Sequence, residues 1–123
     1  MPGSVLYDYG DAIRVGASTS NEDEPDLTKI KLDISLFLAF TKGFLSEMSE
    51  ILTNTEKELP VDSVWIITME IVIRFLTDYL NNDQYFRIDY PKHNLTRVFA
   101  QMKLVEEIEL NHNQMIAFIK SVK

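Results

Sequence analysis

The sequence predicts an all-α fold, an antiparallel helical bundle, on three observations. Apolar residues recur at spacings of three and four over three long stretches, the period of a helix with one buried face. Each stretch opens on a residue suited to a helix N-terminus: Asp33, Pro60 and Asn94. Alternation with a period of two is confined to one short segment, Tyr85–Tyr90. With 46% hydrophobic and 25% charged residues over 123 positions, the chain can bury a core of its own as one domain.

Residues 1–31 are expected to be a stub and an acidic loop, and residues 32–123 the helices. Val5-Leu6-Tyr7 is a short apolar run, and Asp8 suits the N-cap of a short helix from about Tyr9. Alone, such a stub buries almost nothing. Residues 16–31 are small and polar, and the acids Glu22, Asp23, Glu24 and Asp26 around Pro25 read as a solvated loop.

The first long helix should run from Asp33 to Leu52, burying Ile34, Phe37, Leu38, Thr41, Phe44, Leu45 and Met48. Gly43 inside it costs about 1 kcal/mol against Ala and marks close approach of another backbone. Thr53-Asn54-Thr55-Glu56 fits a capping box opening a short helix. Pro60 then starts a helix carrying Val64, Trp65, Ile67, Thr68, Ile71, Val72, Phe75, Leu76, Tyr79 and Leu80. Its apolar residues cover much of the circumference, the pattern of a central, buried helix.

Asn81-Asn82-Asp83 ends that helix, since Asn tolerates the left-handed conformation there. Tyr85–Tyr90 is an extended connector before Pro91. Asn94 caps the last major helix, striped by Leu95, Val98, Phe99, Met102, Val105 and Ile108, and Asn113 caps a short terminal helix through Val122. There is no internal repeat, and no heptad long enough for a coiled coil.

The net charge of −7 argues against nucleic acid and anionic membranes as partners. No apolar run is long enough to span a bilayer, and Met1-Pro2-Gly3-Ser4 does not open a secretion signal. The chain has no cysteine, which removes disulfides, thiolate catalysis and cysteine zinc sites and fits a reducing compartment; the cytoplasm is the expected location.

Catalytic arrangements are scarce. The two histidines, His93 and His112, are too isolated for a multi-histidine metal site; His93 is expected to be exposed and His112 to lie in a loop. No phosphate loop, nucleophile elbow or zincin motif is present. Asp8 and Asp11 share a helix face, either as a metal pair or as a cap and an ion pair to Arg14.

Arg74 lies mid-helix between Ile73 and Phe75. A guanidinium there needs a partner, either Asp78 one turn on or a ligand in a polar cavity. Tyr85 and Tyr90 read first as core edges, and second as sugar-stacking platforms.

Several of these segments together resemble the N-acetylhexosamine 1-kinases of the aminoglycoside phosphotransferase and choline kinase superfamily. Val5-Leu6-Tyr7-Asp8-Tyr9-Gly10-Asp11-Ala12-Ile13-Arg14 resembles that family's "LYDFGD-IR" segment, and Tyr90-Pro91-Lys92-His93-Asn94-Leu95 resembles its "YPEHNL". Glu22–Leu27, Phe40–Leu45 and Ile73–Asn81 agree in order and spacing, so the likeness covers about the first 110 residues. One departure is Asn82, where relatives often carry Gly.

The resemblance implies the C-terminal helical subdomain of a protein-kinase-like fold. By it, Arg74 matches a helix arginine that contacts the hexosamine, Tyr85 a connector tyrosine lining the same pocket, and Asp8 and Asp11 anchor a turn. In the family the catalytic and metal-binding aspartates precede this segment, so ATP and magnesium belong to the full-length enzyme. The chain alone is then expected to hold no cofactor and to be inactive. The competing expectation is a free-standing helical binding or regulatory module. An incomplete kinase lobe exposes apolar surface, which predicts a homodimer.

Overall fold

The structure, a computed structural model, describes residues 2–48 and 59–121. Among them are four helices: α1 (Pro2–Gly16), α2 (Ile34–Met48), α3 (Leu59–Leu80) and α4 (His93–Ser121). A 3-10 turn, Leu27–Lys29, lies in the α1–α2 connection, and the described residues form no strand. The expected all-α class holds. No helix among the described residues is long and apolar enough to cross a membrane.

α3 and α4 run antiparallel. Trp65 near the start of α3 meets Glu109 late in α4, while Asp78 near its end meets Asn94 at the start of α4. α1 lies across α3, and Tyr9 ties it to α2 by a 2.6 Å hydrogen bond to Thr41 and a tilted ring contact with Phe44. One core of Tyr9, Ile13, Ile30, Phe37, Leu45, Val61, Val64, Leu104, Ile108, Met115 and Ile119 joins all four helices. A smaller cluster, Val72, Phe75, Val98 and Val105, lies further along α3 and α4. Burial pushes the Tyr9 phenol well above its ordinary value, against the smaller opposing pull of Thr41.

α1 corrects the expected stub. It is a full helix, Asp8 lies inside it rather than at a cap, and Tyr9 and Ile13 are buried. Gly10 explains why the burial is possible: a Cβ at this position would lie 2.7 Å from the Ser63 carbonyl oxygen and 2.8 Å from Ile67 Cδ1. The close backbone crossing expected at Gly43 is therefore at Gly10. Gly43 is exposed, with open space where a Cβ would project.

Asp33 does cap α2, its Oδ1 accepting from the Leu36 amide at 3.2 Å, and Phe37, Thr41 and Leu45 form the buried stripe. The expected end of this helix at Leu52 and the Thr53–Glu56 capping box lie outside the described residues. Pro60 is in the first turn of α3, as expected. The helix is not buried all round, however: Ile66, Ile73 and Leu80 are 56%, 57% and 70% exposed.

α4 corrects two expectations. It runs unbroken through Asn111, His112 and Asn113, with Asn111 Nδ2 donating to the Glu107 carbonyl one turn back. His112 is therefore helical, and Asn113 caps nothing. The buried stripe is Val98, Gln101, Leu104, Val105, Ile108, Met115 and Ile119, leaving Phe99 and Met102 outside. That set keeps the helical period over about six turns, from Val98 to Ile119, beyond the expected stripe that ends at Ile108.

The acidic loop is tied down. Arg14, 8% exposed, donates to Asp11 Oδ1 at 3.0 Å, Glu22 Oε2 at 2.6 Å and Gln101 Oε1 at 3.1 Å. The Asp11–Arg14 pairing meets the ion-pair half of one of the two readings of Asp8 and Asp11; the cap half fails, since Asp8 is inside α1. His93, expected on the surface, is 3% exposed. Its Nδ1 accepts from the Asp89 amide, and Nε2 then carries the hydrogen that Asp23 Oδ2 accepts at 2.7 Å. Tyr90 stacks on the ring, with centroids 4.5 Å apart.

The His93 hydrogen bond holds the Asp23 carboxyl below its ordinary value near 3.8, outweighing burial, which pulls the other way. A depressed carboxylate stabilises the fold above its unfolded value and loses that contribution as pH falls through the folded one. Asp23→Asn should therefore flatten the fall in stability below about pH 4. Urea melts of both proteins from pH 6 downward measure it; parallel acid limbs would refute the contribution.

Candidate functional site

The end of α3 and the connector after it form one shallow groove. Its lining is Arg74, Thr77, Asp78, Asn81, Tyr85 and Phe86, and its volume is about 320 Å³. The geometry begins at the end of the helix. Asn82 and Asp83 both take left-handed backbone, with φ of 67° and 58°, and the Asp83 amide donates to the Asp78 carbonyl at 2.8 Å. This is the helix end expected of Asn82, extended by one residue.

The reversal sends Tyr85 and Phe86 back over α3, where Asp78 fastens them. Its Oδ1 accepts from the Tyr85 amide at 2.7 Å, and its Oδ2 from the Phe86 amide at 3.0 Å and Asn94 Nδ2 at 2.8 Å. Burial would raise the Asp78 carboxyl, but the Phe86 and Tyr85 amides and Asn94 outweigh it and hold the group below its ordinary range. Asn94 is fully buried. It also donates to Asp83 Oδ1 at 3.0 Å and accepts from Arg97 Nη1 at 2.8 Å. Asn94 is therefore a buried clamp rather than the expected cap, and α4 begins one residue earlier.

Arg74 and Tyr85, the two predicted site residues, come together here. The Arg74 guanidinium carbon lies 5.9 Å from the Tyr85 ring centroid and 6.0 Å from that of Phe86, within cation–π range. For each, the first of its two residue-level alternatives fails. Arg74 is on the exposed side of α3 and forms none of the ion pairs among the described residues. Asp78 is not its partner, because that carboxylate is bound to the connector. Tyr85 is 74% exposed and so is no core edge. The second tyrosine, Tyr90, is outside the groove.

The groove offers a guanidinium, an amide (Asn81) and a hydroxyl (Thr77) beside an exposed aromatic face. That is a set for hydrogen-bonding and stacking on a polar ring. It holds no nucleophile paired with a base, and Asp78 is committed to structure. Thr77, Asn81 and Phe86 were not singled out from the sequence; helical spacing puts Thr77 one turn from Arg74, and the reversal after Leu80 brings Phe86 back beside it. Among the described residues, no three His, Asp or Glu side chains are placed to hold a metal ion. No protein-family model matches the chain.

Proposed function

We propose that this chain is the sugar-pocket-forming helical part of an ATP-dependent N-acetylhexosamine 1-kinase-like phosphotransferase, equivalent to part of the C-terminal lobe of a protein-kinase-like fold. The observation that carries the reading is the convergence of Arg74 and Tyr85 on one groove. The resemblance gives both residues sugar contacts, and they are eleven positions apart in sequence. Arg74 would donate to the hexosamine hydroxyls or acetamido oxygen, and Tyr85 would cover the ring face. The nucleotide, magnesium and catalytic carboxylates would come from the region that precedes these motifs in the family. Phosphoryl transfer is chiefly positioning and charge stabilisation, so the groove's part is to hold the acceptor.

Saturation-transfer NMR with GlcNAc, GalNAc and glucose tests this. Transfer to the acetamido sugars is expected, weak because the groove is open, and reduced at least about tenfold in Arg74→Ala. No transfer to either acetamido sugar, or transfer indifferent to Arg74, would defeat the reading.

A second reading, a non-catalytic helical assembly module, is favoured by the apolar residues that α3 turns to solvent.

A further inference from the structure

The exposed face of α3 has an order that its sequence alone conceals. Leu59, Asp62, Ile66, Met69, Ile73, Leu76 and Leu80 follow spacings of three and four in strict alternation, all but Met69 exposed and Met69 half-buried. These are the a and d positions of three heptads, with one polar member, Asp62. The face that packs on α1 and α4 is centred on other residues, Val61, Val64, Ile67, Thr68, Val72 and Phe75, although Met69 also touches the smaller cluster and Asp62 lies 3.7 Å from His112 on α4. Because both faces are apolar, the heptad cannot be separated from the core until burial is known. Three heptads are short for a free-standing coiled coil, but α3 is already held as a helix by the core and needs no such length.

We infer that this seam pairs with the α3 seam of a second copy of the chain, in an antiparallel two-fold dimer. The inference rests on the assembly reading above and names its surface. A period of 3.5 residues matches another helix of the same period. An isologous pairing supplies one from the same molecule.

The single acid in the seam sets the direction. Parallel pairing would place Asp62 against the partner's Asp62, two carboxylates in one layer, each paired among the described residues only with the His112 ring of its own chain, at 3.7 Å. Antiparallel pairing sets Met69 against the partner's Ile73 and Ile66 against the partner's Leu76. Asp62 then meets the partner's Leu80 at the wet ends. Glu70 is exposed and borders the seam outside these layers, where its carboxylate stays in water. At 1.5 Å per residue the seam is about 31 Å long. A second helix along it covers roughly 500 Å² on each copy, which brings the total to about 1,000 Å², the lower bound for a specific interface.

Light scattering on the full chain should give twice the mass of one copy. Ile73→Asp, on an exposed position, should raise the dissociation constant at least about 100-fold while circular dichroism stays unchanged. Phe99→Asp, exposed on α4, should leave the dimer intact. Because the chain has no cysteine, single-cysteine variants report direction. Glu70→Cys, beside the two-fold axis, should cross-link to itself, and Leu80→Cys should not. A monomer at every concentration would overturn the assembly reading itself. A dimer indifferent to Ile73→Asp would overturn this surface, and self-cross-linking of Leu80→Cys would overturn the antiparallel direction.

Discussion

Gly10→Val should destabilise the protein by at least about 3 kcal/mol, a large share of the roughly 5–15 kcal/mol that holds a domain together. Helix propensity alone argues the other way for a mid-helix glycine, by up to about 1 kcal/mol in favour of alanine. The crossing decides the sign, because the added Cβ meets the Ser63 backbone at 2.7 Å and not the end of a flexible side chain. α1 must then lift from α3, taking Tyr9 and Ile13 out of the core. Gly43 is the control: with nothing within 4 Å of an added Cβ, Gly43→Ala should gain the propensity term of about 1 kcal/mol. Urea unfolding of the two variants measures both. Equal effects would mean that the α1–α3 crossing is not as close as described.

Asn94→Ala is the second large loss expected, about 2–4 kcal/mol. The amide gives hydrogen bonds to Asp78 and Asp83 and receives one from Arg97, all where water has little access. Truncation leaves a void and two carboxylates short of a donor. Asp78 in turn holds the Tyr85 and Phe86 amides, so the loss should reach the groove. Thermal unfolding gives the stability, and amide shifts of Tyr85 and Phe86 in the folded variant report the loosening. A variant as stable as the parent would show that the clamp is dispensable.

Much of the architecture was legible because helices announce themselves locally. Asp33, Pro60 and Asn82 behave as their chemistry requires, and the α2 stripe is buried where its period placed it. The misreadings share a cause, which is that they depend on partners distant in sequence. α1 looked like a stub because Gly10 has meaning only against Ser63. His93 looked exposed because its acid, Asp23, lies 70 residues away. Arg74 looked buried because α3 is apolar on both faces, and periodicity does not say which face the core takes. Of the groove, Arg74 and Tyr85 were reachable through resemblance, but bringing the connector and Phe86 back over Arg74 needed the turn at Asn82 and Asp83.

The contact between α1 and α3 also sets a schedule for synthesis. Gly10 leaves the ribosome 53 residues before Ser63, an interval of about 3–10 s at ordinary elongation rates. Throughout it, Tyr9 and Ile13 have no α3 to cover them, and α2 offers only an early, partial shelter through Thr41 and Phe44. Nascent chains paused between these points should therefore present a sticky α1 to chaperones, and release from them should coincide with the emergence of α3.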